Sequence, residues 1–215
     1  MDRLLRHPER GSAERTDLDA LLDSQWHGVL STVADGQPWA VPLLYARDGD
    51  RIILHGSTGA GALRAVATGA QAVFTVTALD ALVVGHTTFE SSANYRSATI
   101  RGRLARATGE DQARALDLFS DALLPGRTGE VRPTNKKEWA ATLVTILPIE
   151  EGHWLYKART GWPCDEAESD ATKPVHGALT WAGIVPVHTS YGPAQPAPWV
   201  RVDPPRSVER IIGGS

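Results

Sequence analysis

The residues best suited to chemistry lie in the stretch IILHGSTGAGALR, residues 52–64. An apolar strand pattern ends here in His55, Gly56 and Ser57, a glycine-rich link follows, and a helix is predicted next. Backbone N–H groups and hydroxyls at such a junction form an anion site, and Arg64 would add a charge-assisted contact to a phosphate. An ordinary strand-to-helix turn has the same pattern, so both interpretations stay open.

A second polar stretch, HTTFESSANYRS at residues 86–97, separates two apolar strand patterns. It places His86 four residues before Glu90. Because histidine titrates near neutral pH, His55 and His86 are the candidate proton donors for catalysis. The alternatives are a strand-end histidine satisfied by backbone groups for His55, and a solvated loop for His86.

Other catalytic signatures are missing. The sequence has no GxSxG elbow, no Walker loop, no HExxH motif and no dinucleotide fingerprint that opens a helix. The seven histidines are scattered, with none paired at i, i+4 on a helix, so no metal site built from protein side chains alone is expected. A chemistry that relies on a bound organic cofactor remains compatible with these absences.

Composition narrows the possible partners and the compartment. The 22 Lys and Arg residues are outnumbered by 25 Asp and Glu, which gives a net charge of −3 and disfavours nucleic-acid binding. The single cysteine, Cys164, excludes an internal disulfide framework and suits a reducing compartment. We find no signal-peptide pattern and no apolar run of membrane-spanning length, so we expect a cytoplasmic protein that does not bind membranes.

The elements that must position these residues are mostly strands. Periodicity and turn signals predict strands at 29–33, 39–46, 51–55, 72–77, 81–85, 97–105, 143–147 and 152–159. Helices are predicted at 16–24, 60–68, 110–124 and 133–141. Such short connections cannot supply parallel crossovers, so the pattern predicts a closed or split antiparallel barrel. Six of the 14 prolines lie from Pro186 onward, which predicts a barrel domain at 1–188 and a proline-rich C-terminal arm at 189–215.

Five motifs in order carry a family resemblance: VLSTVADGQPWAVPLLYARDGDRIILHGS, FESSANYRSATIRGRLAR, LLPGR, YKARTGWP and WAGIVPV. Together they resemble the pyridoxamine 5'-phosphate oxidase-like flavoproteins, in the branch that includes nitroimidazole-resistance proteins, over about residues 5 to 188. The resemblance implies a mainly β protein with some α: a six-stranded antiparallel split β-barrel with short flanking helices. It further implies a homodimer that holds FMN at the subunit interface.

The resemblance also implies which residues hold the flavin. Backbone groups of the VPLL stretch would face the isoalloxazine, while the end of the following strand and Arg64 would approach the ribityl chain and phosphate. The NYRS motif, a lysine and a tryptophan would close the pocket. The residues concerned are Val41, Pro42, Leu43, Leu44, His55, Gly56, Ser57, Arg64, Asn94, Tyr95, Arg96, Ser97, Lys157 and Trp181. Many relatives carry a Ser-Arg pair in the phosphate loop where this chain has Ala60-Gly61.

Three functions follow from these observations. The first is an FMN-dependent oxidoreductase that transfers hydride to or from a small organic molecule through the flavin. The second keeps the fold and binds haem through a histidine. The third is a protein that binds a cofactor or small molecule without turnover, which the altered phosphate loop at Ala60-Gly61 would favour.

Overall fold

The computed structural model describes residues 4–59, 63, 69–163 and 180–213. Its strands are β1 (Gly11–Ser12), β2 (His27–Ala34), β3 (Gln37–Asp48), β4 (Arg51–Ser57), β5 (Gln71–Val84), β6 (Ser92–Arg103), β7 (Ala105–Arg106), β8 (Thr142–Pro148), β9 (Trp154–Arg159) and β10 (Gly183–Pro186). Its α-helices are α1 (Arg15–Ser24), α2 (Gly109–Leu123), α3 (Lys136–Ala141) and α4 (Arg206–Gly213). Two 3₁₀ helices add Pro8–Arg10 and Arg127–Gly129.

All pairings within the sheet are antiparallel. The strand order is β1-β9-β6-β5-β2-β3-β4-β8-β7, and β10 pairs with the second half of β5. Because β7 follows β6 after a single residue and pairs with β8, the order closes into a barrel through β5, β2, β3, β4, β8 and the path of β6 and β7. Only two residues of that path pair with β8, so the barrel is split there. This architecture is the predicted split barrel.

The barrel has one covered side and one open side. In β8 the run from Leu143 to Leu147 is buried on both faces, because one face lines the barrel interior and the other packs under α2 around Phe119. In β5, by contrast, buried residues alternate with partly exposed ones. The outward sides of β2, β3, β5 and β6 therefore form an exposed surface, which we call the open face.

The structure differs from the sequence prediction at two places, and it leaves a third prediction untested. The strands predicted at 72–77 and 81–85 are one strand, β5, whose register against β6 shifts between Leu79 and Ala81. The polar stretch 86–97 is a turn followed by strand, because β6 begins at Ser92. The predicted helix at 60–68 lies outside the described residues apart from Leu63, which is buried in the barrel core.

The C-terminal arm is folded back onto the barrel at two points. Tyr191 stacks edge-on against Trp26, with ring centroids 5.3 Å apart. Further along, the backbone N–H and hydroxyl of Ser207 at the start of α4 donate to the Glu130 carboxylate. None of the helices in the described part combines the length and apolar character that crossing a membrane requires.

Candidate functional site

The most useful feature for a ligand is the edge of β3. Residues 37–44 of β3 pair with β2, but β4 pairs only with residues from Tyr45 onward. Among the described residues no strand pairs with the other edge of β3 over 37–44. A strand edge that lacks a partner presents unpaired backbone donors and acceptors to a ligand.

The ladder shows which residues face this free edge. The N–H of Tyr45 donates to the carbonyl of Trp26 at 2.9 Å, on the β2 side. In an antiparallel ladder the backbone groups of successive residues alternate between the two sides, so the even-numbered residues of β3 face away from β2. The free edge therefore carries the N–H groups of Ala40 and Leu44, while Pro38 and Pro42 offer only carbonyls.

The four residues Val41 to Leu44, predicted to face the flavin, divide between the two edges of β3. Val41 and Leu43 direct their backbone groups towards β2 and pack their side chains against the barrel core. Pro42 and Leu44 lie on the free edge, with their side chains exposed. Ala40, which the sequence did not single out, joins them because it has the same alternation.

His55 lies at the end of β4 on the side of the barrel covered by α2. Its ring packs against Phe119, with centroids 4.3 Å apart, and its Nδ1 is buried without a hydrogen-bond partner in the described residues. Burial lowers the pKa of His55, so the ring is neutral at pH 7 and accepts a proton more readily than it donates one.

Gly56 and Ser57 complete the end of β4. A Cβ at Gly56 would lie 2.6 Å from Leu63 Cδ2, so a larger residue there would displace the Leu63 side chain. The Ser57 hydroxyl accepts a hydrogen bond from the N–H of Gly59 at 3.1 Å, which orders the start of the following loop. Arg64, the predicted phosphate partner, lies outside the described residues.

Asn94 of the NYRS motif is buried and hydrogen-bonded to two other parts of the chain, an arrangement that we call the Asn94 pin. Its Nδ2 donates to the carbonyl of Gly161 at 2.9 Å, and its Oδ1 accepts from the Arg159 guanidinium at 2.8 Å. Burial, with the nearby charge of Arg10, lowers the pKa of Arg159. Sequence reasoning missed Arg159. Arg159 follows Lys157 by two residues on β9, and this period-two spacing could have indicated that the two side chains share one face of the sheet.

The remaining residues of the motif divide between the two faces of the sheet. Arg96 makes a two-pronged contact with Asp80 at the bulge of β5, with N–O distances of 2.8 and 3.0 Å, and these hydrogen bonds raise the pKa of Arg96. Ser97 pairs directly with Lys157, whose Nζ lies 5.7 Å from the Tyr95 ring centre. Tyr95, Ser97 and Lys157 therefore form a polar and aromatic group on the open face.

His86 and Trp181 are brought together through the backbone beside β10. The Nδ1 of His86 is 3.0 Å from the Thr180 carbonyl, which can only accept, so Nδ1 carries the proton. Trp181 is 63% exposed and folds over Gly183, where an added Cβ would lie 2.7 Å from the indole. The Glu90 carboxylate accepts a hydrogen bond from the N–H of Thr87 in the same turn. The structure thus ties the His86 ring to the backbone next to Trp181.

Comparisons with known proteins are consistent with this architecture. The family model described as pyridoxamine 5'-phosphate oxidase matches residues 14–153. The FAD and Heme binding protein from Mycobacterium smegmatis is similar at 41% identity and a TM-score of 0.87, over 94% of this chain and 97% of that chain. The flavocytochrome Anf3 from Azotobacter vinelandii is similar at 29% identity and a TM-score of 0.86, over 97% and 94%.

A 5-nitroimidazole antibiotic resistance protein from Bacteroides thetaiotaomicron supports the fold alone. It has 18% identity and a TM-score of 0.57, over 69% of this chain and 86% of that chain. No curated protein gives a match to the sequence. Together, the family model and the solved structures confirm the predicted antiparallel fold.

Proposed function

This chain belongs to the pyridoxamine 5'-phosphate oxidase family, and we propose that it is a flavin-dependent oxidoreductase acting on a small organic molecule. The observation that carries the proposal is the free edge of β3. The pyrimidine part of an isoalloxazine presents two carbonyl acceptors that flank one N–H donor, and a neighbouring N–H and carbonyl of the free edge, such as those of Ala40, complement part of this pattern. When bound, the flavin supplies the hydride chemistry.

The family resemblance implies FMN as the flavin nucleotide, whereas the name of the 41% identical relative specifies FAD. Both share the isoalloxazine and the first phosphate, so the β3 edge and the end of β4 serve either one. His55, Gly56 and Ser57 lie where β4 ends, one strand away from the β3 edge. We assign the ribityl and phosphate side of the flavin to these residues and to Arg64.

The protein residues orient and enclose the reacting groups. Lys157, Tyr95 and Ser97 supply a positive charge and two hydroxyls on the open face. His86 is fixed with its proton on Nδ1, and Trp181 offers an exposed aromatic surface beside it. His55, kept neutral by burial, is suited to accept a proton. Of the two predicted proton donors, His86 fits donation better.

Haem binding is a second candidate function. The name of the relative from Mycobacterium smegmatis includes "Heme binding", and the relative from Azotobacter vinelandii is named a flavocytochrome. An iron-binding histidine usually has its other ring nitrogen held by a carbonyl or carboxylate. His86, held by Thr180, and His153, whose Nδ1 lies 2.8 Å from Glu150, both meet this condition. His55 does not, since its Nδ1 has no partner in the described residues.

We further propose that the protein is a cytoplasmic homodimer. The open face carries exposed apolar side chains on β2, β3 and β5, which a second copy would cover. Lys157 and Trp181 would then contribute to a pocket shared between subunits. A binding protein without turnover would retain the same pocket, so turnover has to be measured separately from binding.

The test compares two substitutions at one position. Ala40→Pro removes the N–H on the free edge but leaves the β2 ladder intact, as Pro38 and Pro42 already do. Ala40→Ser changes the same side chain and keeps the N–H. Loss of one hydrogen bond to the flavin should raise the Kd for FMN or FAD about tenfold in Ala40→Pro, with Ala40→Ser unchanged.

Binding is measured by titrating FMN and FAD into the flavin-free protein, with circular dichroism as the check on folding. Turnover is followed as anaerobic bleaching of the flavin band by NADPH and its return when a small organic acceptor is added. Failure of the wild-type protein to bind either flavin, or equal affinity in the two variants, would overturn the assignment of the β3 edge. Flavin binding without any turnover would support the non-catalytic alternative.

A further inference from the structure

We infer that the open face carries a second binding pocket, separate from the β3 edge, for a flat apolar molecule that bears negatively charged groups. The pocket has a volume of about 850 Å³, within the range of small-molecule sites. Its lining combines an apolar floor with a polar rim. The floor includes Val33, Val73, Gly102 and Pro148, and the rim includes Arg101, Arg103 and His153.

The strand register explains why these residues meet. The N–H of Arg101 donates to the His153 carbonyl at 2.8 Å, Arg101 pairs with Val73, and Val73 pairs with Ser31. Ser31 in turn pairs with Ala40. These five residues form one row across neighbouring strands on the open face. Four of the five residues line the pocket, and the fifth, Ala40, lies on the proposed flavin edge, so the two sites adjoin.

The floor of the pocket suits a flat apolar body. Val73 is flanked in the row by the small side chain of Ser31. Val33 is 65% exposed, although it lies in a strand, so an apolar surface is left open to solvent here. Burial of that surface by a planar ligand would be favourable.

The rim of the pocket is positively charged. Arg103 donates through one nitrogen to the carbonyl of Gly69 at 2.9 Å, and among the described residues no carboxylate lies within ion-pair distance of it. Glu150 is the acidic residue on the rim, and its carboxylate accepts from Nδ1 of His153. A guanidinium held at a pocket rim binds carboxylate or phosphate through paired hydrogen bonds.

Two classes of molecule share this chemistry. A porphyrin has a flat ring with two carboxylates, and the fixed Nδ1 of His153 would direct Nε2 towards its iron. A nicotinamide dinucleotide has flat bases and phosphates. Either one would lie about 10 Å from Ala40, which is two strand spacings from Val73. Only this placement beside the flavin depends on the proposed function, because the pocket itself consists of other residues.

The experiment titrates hemin and NADPH separately into the full-length protein. We compare the wild type with Arg103→Gln, and with Arg106→Gln as the matched control, because Arg106 is an exposed arginine on β7 outside the pocket. Loss of a charge-assisted contact should weaken the bound probe about tenfold in Arg103→Gln and leave Arg106→Gln unchanged. Circular dichroism verifies that each variant is folded.

A His153→Gln variant distinguishes the two sources. If the occupant is a porphyrin, this variant shifts the Soret band and weakens hemin while leaving NADPH unaffected. If it is a dinucleotide, NADPH binds in an Arg103-dependent manner and hemin does not. The inference is overturned if neither probe binds the wild type, or if Arg103→Gln binds both as tightly as Arg106→Gln. Flavin content, recorded in each sample, reports on the β3 edge independently, so the two proposals can fail separately.

Discussion

At the scale of single residues, the Asn94 pin makes a clear prediction. Asn94→Ala removes the acceptor of the buried Arg159 guanidinium and the donor to the Gly161 carbonyl. Buried groups left without partners cost about 1 to 3 kcal/mol each, and charged ones more, so we expect a loss of about 3 kcal/mol. Urea unfolding followed by tryptophan fluorescence measures it.

Asn94→Asp is the control for this substitution. It keeps an acceptor for Arg159, now charged, but loses the N–H group that donates to Gly161. It should therefore be less destabilised than Asn94→Ala. If the two variants lose the same stability, the contact with Arg159 contributes little and the pin acts through Gly161 alone.

His55 predicts a pH dependence of stability. Burial lowers its pKa in the folded state, so the unfolded chain binds the proton more readily. Its contribution is fully present above the unfolded pKa of about 6.5 and is lost as the pH falls through the folded value. The free energy of unfolding should therefore decrease from pH 7 towards pH 5, by less than about 1.4 kcal/mol per pH unit, since the ring is only partly buried.

Two substitutions check that this dependence comes from His55. His55→Gln should flatten the stability profile between pH 5 and 7, measured by urea unfolding at each pH. His188→Gln, at an exposed histidine directly before the C-terminal arm, should leave the profile as in the wild type. An unchanged slope in His55→Gln would assign the acid sensitivity to another group.

Residue types and spacing predicted the open face of β6, but they did not predict the roles of its motif. Alternation correctly placed Ala98 and Ile100 in the core and Arg101 outside. The partners of Asn94 and Arg96 come from other strands, through the register with β9 and the bulge in β5. One sequence does not reveal that register, so it could not show that Asn94 and Arg96, whose cofactor contacts stay a prediction, bond to the protein itself.

At the scale of elements, β2 and β5 can approach closely because of Gly28. A Cβ at this position would lie 2.5 Å from the Phe74 ring and 2.8 Å from the Thr75 carbonyl. Phe74 is fully buried and the carbonyl belongs to the ladder, so neither can move easily. We expect Gly28→Ala to destabilise the fold by about 3 kcal/mol, the upper part of the range for overpacking, as measured by thermal and urea unfolding.

Gly129→Ala is the matched control. Nothing lies within 4 Å of a Cβ at Gly129, so this substitution should leave the midpoint of unfolding nearly unchanged. A destabilisation by Gly28→Ala no larger than that of Gly129→Ala would show that β2 and β5 can separate at little cost.

The sequence predicted which helices and strands exist better than where each one begins and ends. Strong alternation identified most strands, and the long helix 110–124 is observed as α2, Gly109–Leu123. The break that alternation implied at 78–80 is a bulge, where one extra residue shifts the phase of the pattern without ending the strand. The buried face of α2 is centred on Ala115 and Phe119, because β4 and β8 lie beneath that side.

The free edge of β3 could not be derived from residue types and spacing, although the family resemblance pointed to the same stretch. Pro38 suggested a turn and Pro42 lay in a predicted strand, but neither indicated a free edge, because proline is also tolerated at strand ends. Only the pairing shows that Pro38 and Pro42 both face the edge that β4 leaves unpaired. The proposed flavin site therefore rests on the relation between three strands rather than on any motif.

At the scale of the whole molecule, the open face leaves apolar side chains exposed. They include Leu82 on β5 and Val185, its partner on β10, both nearly half exposed. A stable dimer needs about 800 Å² from each partner, which this surface can supply.

The proposed homodimer is therefore expected to depend on this apolar surface. In Leu82→Lys a charge would be buried between the two copies, so sedimentation velocity should show a monomer where the wild type is a dimer. Val131→Lys is the control, because Val131 is also nearly half exposed but lies before α3, away from the open face. A wild-type protein that sediments as a monomer, or a Leu82→Lys variant that remains a dimer, would contradict this prediction. The exposed apolar surface would then have to bind another partner.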